Sequence, residues 1–280
     1  LSLLGFLYAL VIGLQVRGEN RALMREGIKS AQHVGKEAQG RIENTLKHAS
    51  GKIEEEARNL LENRQEDTRL FLAPIRKIMY SDPGFVEAGV AFSPFAYDPQ
   101  IRLHGFSYVV DDEGMQLRDL DINEDYTKPD AIWYHRAMEG HKGWLEPVYD
   151  ETRQKMLVTY VTPVYKQEDP AVPAGVVFAT YAVSSFKQVL DNMNLGKNGY
   201  SFLLSPDKRF IVHHDQDYLD HRWSLDDFLG RLQNKSVVPA VTAALGDPSR
   251  IVHLTDPDSS QDTRVFFLQI PEAAWILGII

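Results

Sequence analysis

From Gly18 to about Tyr80 the apolar positions recur every three or four residues. Ile28, Ala31, Gly35, Ala38, Ile42, Thr45, Ala49 and Ile53 form one stripe, which Ala57 and Leu60 continue one residue out of register. Glu, Lys, Arg and Gln fill most other positions, and no proline appears before Pro74. This is the pattern of an amphipathic helix with a narrow seam. About sixty residues at ~1.5 Å each make a rod of about 90 Å, too long for the inside of one compact domain. Such a rod must run along the outside of folded modules or pair with a second copy of itself. Its seam is rich in Ala and Gly, so pairing would be close but weakly driven.

At Ser81-Asp82-Pro83-Gly84 the period changes from helical to alternating. Residues 85–97, 104–110 and 115–120 read as strands, with Asp111-Asp112-Glu113-Gly114 as a hairpin turn between the last two. A short helix is predicted to begin near Pro129, capped by Thr127 or Asp130. After the Gly140–Gly143 break come strands at 144–150, 155–166 and 175–183, then a helix at 184–193. A second, smaller set follows: strands at 200–205 and 209–213 around Pro206-Asp207-Lys208, helical periodicity over 225–245, and strands at 250–255, 263–270 and 275–280. The fold class is therefore α+β: one long helix carrying two tandem antiparallel-sheet modules of the PAS-like kind. The expected division is 17–82 for the helical stalk, 83–193 for the first module and 194–280 for the second.

Residues 1–16 are almost wholly apolar and end at Arg17. At about 16 residues the run is short of the roughly 20 that span a bilayer, and it begins with Leu. It reads as the outer part of a membrane helix, against the alternatives of a buried core helix or a signal-peptide remnant.

With 280 residues, 44% of them hydrophobic and 25% charged, the chain is globular. Its formal charge of −9 leaves no cationic excess to neutralise phosphates, which argues against a nucleic-acid partner. There is no cysteine, so disulfides, thiolate-bound zinc and thiol catalysis are excluded. No Gly-x-Ser-x-Gly, Walker loop or Gly-x-Gly-x-x-Gly occurs, and the carboxylates are scattered. The chain reads as a binding module rather than an enzyme, with no cofactor. The run His213-His214-Asp215-Gln216-Asp217, with Asp220 and His221, is dense in metal-type ligands. Its spacing matches no closed site and is read as structural.

The richest stretch for a site is 125–181. Tyr126, Trp133 and Tyr134 fall on or beside the short helix, Tyr149 lies near a strand end, and Tyr108 or Phe106 is expected nearby. Asp150 and Glu151 stand where that strand exits. Aromatic faces with a carboxylate suit an organic cation or amine. The competing reading is that the aromatics fill the core and the carboxylates serve the turn.

Tyr126 with Trp133-Tyr134, Trp144-x2-Pro147-x-Tyr149-Asp150, Thr159-x3-Pro163-x-Tyr165 and Gly175-Val176-Val177 together resemble the double Cache (dCache) extracellular sensor domains. The run 199–214, from Gly199-Tyr200-Ser201-Phe202 to His213-His214, is similar to the second Cache module of that family. The resemblance runs from about Glu19 to the end. It implies the periplasmic ligand-sensing domain of a bacterial inner-membrane receptor, with flanking membrane helices, the first module membrane-distal and homodimer formation through the long helix. It also implies that 275–280 leads toward a second membrane helix. Family members that bind amino acids carry an arginine two residues before the tryptophan and an aspartate on the strand after Gly-Val-Val. Here those positions are Ala131 and Thr180. The implied small-molecule ligand is then not a common α-amino acid. An amine or an aromatic molecule fits better, although His135, Arg136 and His141 leave the sign of its charge open.

Overall fold

Leu46, rather than Thr45, completes the seam of the long helix. In the computed structural model, α1 (Leu3–Glu62) is one helix of 60 residues. Its buried seam is Ala38, Ile42, Leu46, Ala49, Ile53, Ala57 and Leu60. The steps of four, four and three residues repeat, close to the helical period of about 3.6, and the apparent slip at Ala57 disappears. The structure describes the backbone of residues 3–62, 68–120, 125–166, 169–258 and 260–280, and side chains from residue 22 onward apart from 61–71, 121–124, 167–170 and 259. Residues 1–16, where the sequence predicts part of a membrane helix, thus lie outside the described side chains. No helix among the described residues is long and apolar enough to cross a membrane.

The expectation of a single helix over 17–82 is corrected. α1 ends at Glu62, and a second helix, α2 (Thr68–Ser81), lies back against it. Lys77 Nζ is 3.7 Å from Glu56 Oε2, whereas 21 residues along one helix would separate them by about 31 Å. The reversal lets Ile75, Ile78 and Met79 of α2 bury themselves in the core shared with α1 and the first sheet, which the end of a rod would not allow.

The first sheet contains β1 (Phe85–Phe92), β2 (Gly105–Asp111), β3 (Gly114–Asp119), β4 (Gly143–Trp144), β5 (Val148–Asp150), β6 (Lys155–Lys166) and β7 (Asp169–Ala182). Their order is β3-β2-β1-β7-β6-β4, with β5 also on β6 and all pairs antiparallel. Alternation assigns the faces. Ala88, Val90, Val158, Tyr160, Val177 and Ala179 pack toward α1 and α2. Ala91, Val161, Val176 and Phe178 pack toward a short helix, α3 (Ile132–Met138). α3 starts at Ile132, later than predicted, and its N-cap, Ala131, makes no side-chain cap. Asp125 instead secures the preceding turn, accepting the Thr127 N–H at 3.1 Å. β1 stops at Phe92 rather than 97, where Pro94 interrupts the ladder.

α4 (Lys187–Asp191) leads to the second sheet, β8 (Ser201–Leu204), β9 (Phe210–Val212), β10 (Val252–Thr255), β11 (Asp262–Ile270) and β12 (Trp275–Ile279), ordered β10-β11-β12-β8-β9. α5 (Asp217–Asp220), α6 (Leu225–Arg231) and α7 (Val238–Ala244) cover its outer face. The predicted helical run over 225–245 is thus two helices. Ser224 and Asp227 form a capping box that starts α6. Phe266, Leu268, Leu277 and Ile279 turn the other face to α1.

One helix therefore ties both sheets. Tyr160 Oη donates to Glu54 Oε1 at 2.5 Å on the first, while Ser50 Oγ donates to Glu272 Oε1 at 2.6 Å beside the second.

Candidate functional site

Strand register builds a polar wall on the α3 side of the first sheet. Glu87 lies opposite Thr180, and Thr180 opposite Thr159. Ser107 lies opposite Arg118 and Gly89, and Gly89 opposite Phe178. Opposite residues share a face, so β1, β2, β3, β6 and β7 each aim one of these groups under α3. The absence of a side chain at Gly89 makes the floor possible. A Cβ there would stand 2.5 Å from the Phe106 carbonyl oxygen and 2.7 Å from the Phe178 ring. Trp133 reaches down from α3 until its ring is 4.4 Å from that of Phe178. Beside these rings lies a cavity of about 140 Å3 lined by Glu87, Arg118, Leu120, Trp133, Thr159, Phe178 and Thr180.

Glu87 is the electrostatic centre. Its Oε1 accepts the Ser107 hydroxyl at 2.9 Å, and its Oε2 is 3.6 Å from Arg153 Nη2. The other guanidinium nitrogen, Nη1, is 2.6 Å from Asp150 Oδ2. Burial alone would raise the Asp150 carboxyl. The backbone N–H and guanidinium of Arg153 outweigh it and hold the group below its usual value. The Thr159 and Thr180 hydroxyls are 3.0 Å apart. The wall thus offers a carboxylate, a hydroxyl pair and the Arg118 guanidinium, facing two aromatic rings.

Of the residues singled out from sequence, Trp133 and Thr180 line this cavity, and Asp150 is joined to Glu87 through Arg153. The others stand elsewhere. Tyr126 is fully buried, and its hydroxyl, donating to the Phe92 carbonyl at 2.9 Å, latches the segment before α3 to β1. Tyr134 is core beneath α3, and burial raises its phenol. Tyr108 pairs with Ala88 and so faces the α1 side. Tyr149 pairs with Met156, also on that side, and the Arg222 guanidinium carbon sits 5.9 Å from its ring centroid. Glu151 is exposed and bridges to the same Arg222, in the second module. Adjacent strand residues point to opposite faces, which is why Tyr149 and Asp150 part company. The sequence reading missed Glu87, Arg118, Thr159 and Phe178. A carboxylate inside the apolar run Phe85-Val86-Glu87-Ala88-Gly89-Val90 was the available signal.

In the second module His213 is 2% exposed and stacks on Tyr218 at 3.9 Å. Burial, with His214 beside it, depresses its pKa to about 4. Among the described residues no group of three or more His, Cys, Asp or Glu is arranged to hold a metal ion.

The methyl-accepting chemotaxis protein McpG of Pseudomonas putida is 26% identical to this chain over 174 residues, covering 60% of the chain and 24% of McpG. The chain therefore spans about a quarter of that relative's length. The extracellular domain assigned to histidine kinase soHK1S-Z6 superposes with a TM-score of 0.69 at 17% identity, covering 95% of this chain and 96% of that one. The ligand-binding domain of the Pseudomonas aeruginosa amino-acid chemoreceptor PctC, in complex with GABA, gives 0.59 at 14% identity over 88% and 96%. At these identities the two structures establish a shared fold. The Cache-domain model dCache_1 matches residues 21–280, and the chain belongs to that family of sensor domains.

Proposed function

We propose that the chain is the extracytoplasmic ligand-sensing domain of a bacterial transmembrane receptor, and that it takes a compact amine at Glu87. The module at 83–193 would lie farther from the membrane, that at 194–280 nearer to it, with dimerisation along α1. The observation that carries the reading is the Glu87 carboxylate on a cavity wall facing Trp133 and Phe178, the combination that suits an ammonium group. Arg118 on the same cavity suits an acid group at the far end of the molecule. Ala131 and Thr180 supply neither charged anchor of an α-amino acid, so common α-amino acids are not the expected ligand. The GABA bound by the relative PctC is an amine whose acid group is remote from its nitrogen, in keeping with such spacing. At about 140 Å3 the cavity is below the roughly 300 Å3 of ordinary ligand sites, which favours a small occupant.

A ligand ammonium at Glu87 would replace Arg153 there and leave it on Asp150. The same short turn carries Glu151, bonded to Arg222 of the second module. A shift of this turn is thereby felt in both modules. The ligand drives the change only through unequal affinity for the two states.

Thermal-shift screening of ethanolamine, putrescine, 4-aminobutyrate and the twenty amino acids tests the reading. An amine at one hundred times its Kd adds about 2.7 kcal/mol of stability, and Glu87→Gln should abolish that gain. A micromolar α-amino acid, or an amine whose effect survives Glu87→Gln, would sink the assignment.

A further inference from the structure

A cavity of about 380 Å3 lies between α1 and the second sheet, more than twice the size of that at Glu87 and within the usual small-molecule range of about 300–1,000 Å3. It arises from the way α1 leaves the sheet. At Gly35 the contact is so close that a Cβ would collide with Ile279 and press on Leu268. Toward the N-terminus Ala31 and Ile28 are only half-buried, and a Cβ at Gly27 would meet nothing within 4 Å. The gap opened there has an apolar floor of Ile28, Ala31, Phe266 and Ile279.

Its other wall is polar and negative. Asp256, in the loop between β10 and β11, lines the cavity and is 3% exposed. Its Oδ1 accepts the Asp258 N–H at 2.9 Å, and its Oδ2 accepts the Tyr200 hydroxyl at 3.3 Å. Both donors are neutral. Arg231 serves Asp258, at 2.6 Å, and among the described residues no ion pair reaches Asp256 or Asp262. Asp262 and Arg264 also line the space, so two carboxylates stand against one guanidinium. A buried carboxylate held by neutral donors alone leaves room for an organic cation as its charge partner. Among the described residues no metal-type cluster is present to take an ion instead.

We propose that this cavity is a second ligand site, for an organic ammonium ion with an apolar tail. The ammonium sits at Asp256, and the tail lies along Ile28, Ala31, Phe266 and Ile279. An occupant there braces α1 against β12 where the helix parts from the sheet, and the assignment stands independently of any ligand at Glu87.

Isothermal titration of the whole chain with n-butyl-, n-hexyl- and n-octylammonium, below their micellar concentrations, tests the proposal. Binding should tighten with tail length and fall at least about tenfold in Asp256→Asn, which removes one member of a buried charge pair. It should fall similarly in Gly27→Trp, whose indole fills the gap, and each titration is repeated in the Glu87→Gln background so that no amine at the first cavity contributes to the signal. Absence of binding by all three amines, equal binding of 1-hexanol, or insensitivity to Gly27→Trp overturns the proposal. So does binding that is seen in the unmodified chain and vanishes entirely in the Glu87→Gln background, which would assign the amine to the first cavity. Gly27 borders open space, so its variant decides the matter even where Asp256→Asn fails to fold.

Discussion

Tyr126→Phe separates a core latch from a ligand contact. The Tyr126 side chain is fully buried, and its hydroxyl donates to the Phe92 carbonyl at 2.9 Å and accepts the His104 N–H at 3.1 Å. Removing the oxygen takes one bond from a backbone acceptor and one from a backbone donor. The His104 carbonyl keeps its bond from the Phe92 N–H at 2.9 Å, so the loss is confined to those two groups. Each unsatisfied buried group costs about 1–3 kcal/mol. His104 is only half-buried and its N–H regains water, so the net destabilisation should be about 2 kcal/mol. For a chain of 280 residues that lowers the melting temperature by about 3–4 °C. Differential scanning calorimetry gives the first number, and titration of an amine found by screening gives the second, which should stay within about threefold of wild type. A variant that melts like wild type yet loses the ligand would refute the reasoning and return Tyr126 to the site.

Trp133→Ala should abolish the amine response with a smaller loss of stability than Tyr134→Ala. The tryptophan borders a cavity whereas Tyr134 is core, and truncating a buried aromatic costs about 3–5 kcal/mol; melting temperature and titration on the two variants check this. Gly278→Ala should destabilise by about 1–3 kcal/mol, because a Cβ there runs into the Phe202 ring; urea unfolding would register it as a lower midpoint. The pKa of His213, depressed to about 4 from 6.5, gives a pH test. Between those values the unfolded chain binds a proton that the folded chain does not. Stability should therefore fall by up to about 3 kcal/mol as pH drops from 6.5 to 4 and level off below, a fall that His213→Asn should reduce.

The architecture was legible because it rests on periodicity, and the site was less so because it rests on phase. A seam of Ile42, Ala49 and Ile53 announces a helix wherever it docks, and the alternation after Gly84 announces strands however they pair. Which strand residue meets the ligand depends on register, and a shift of one residue moves every side chain to the other face. Aromatic character points to Tyr108, and a place near a strand end adds Tyr149, yet both have the parity of the α1 side. Alternation within the strand already said that Tyr149 and Asp150 could not line one wall. The analogous rule on a helix, about 100° between neighbours, separated Trp133 from Tyr134. Glu87 needed more, since its position becomes informative only when β1, β7 and β6 are aligned so that Glu87, Thr180 and Thr159 fall in one row. The reversal at the end of α1 was hidden for a related reason. Residues 62–68, Glu62-Asn63-Arg64-Gln65-Glu66-Asp67-Thr68, contain no glycine or proline, and their polarity equally suits the outer face of a continuing helix. What decides against continuation is the burial that α2 gains by folding back, and that is a property of the surface it meets.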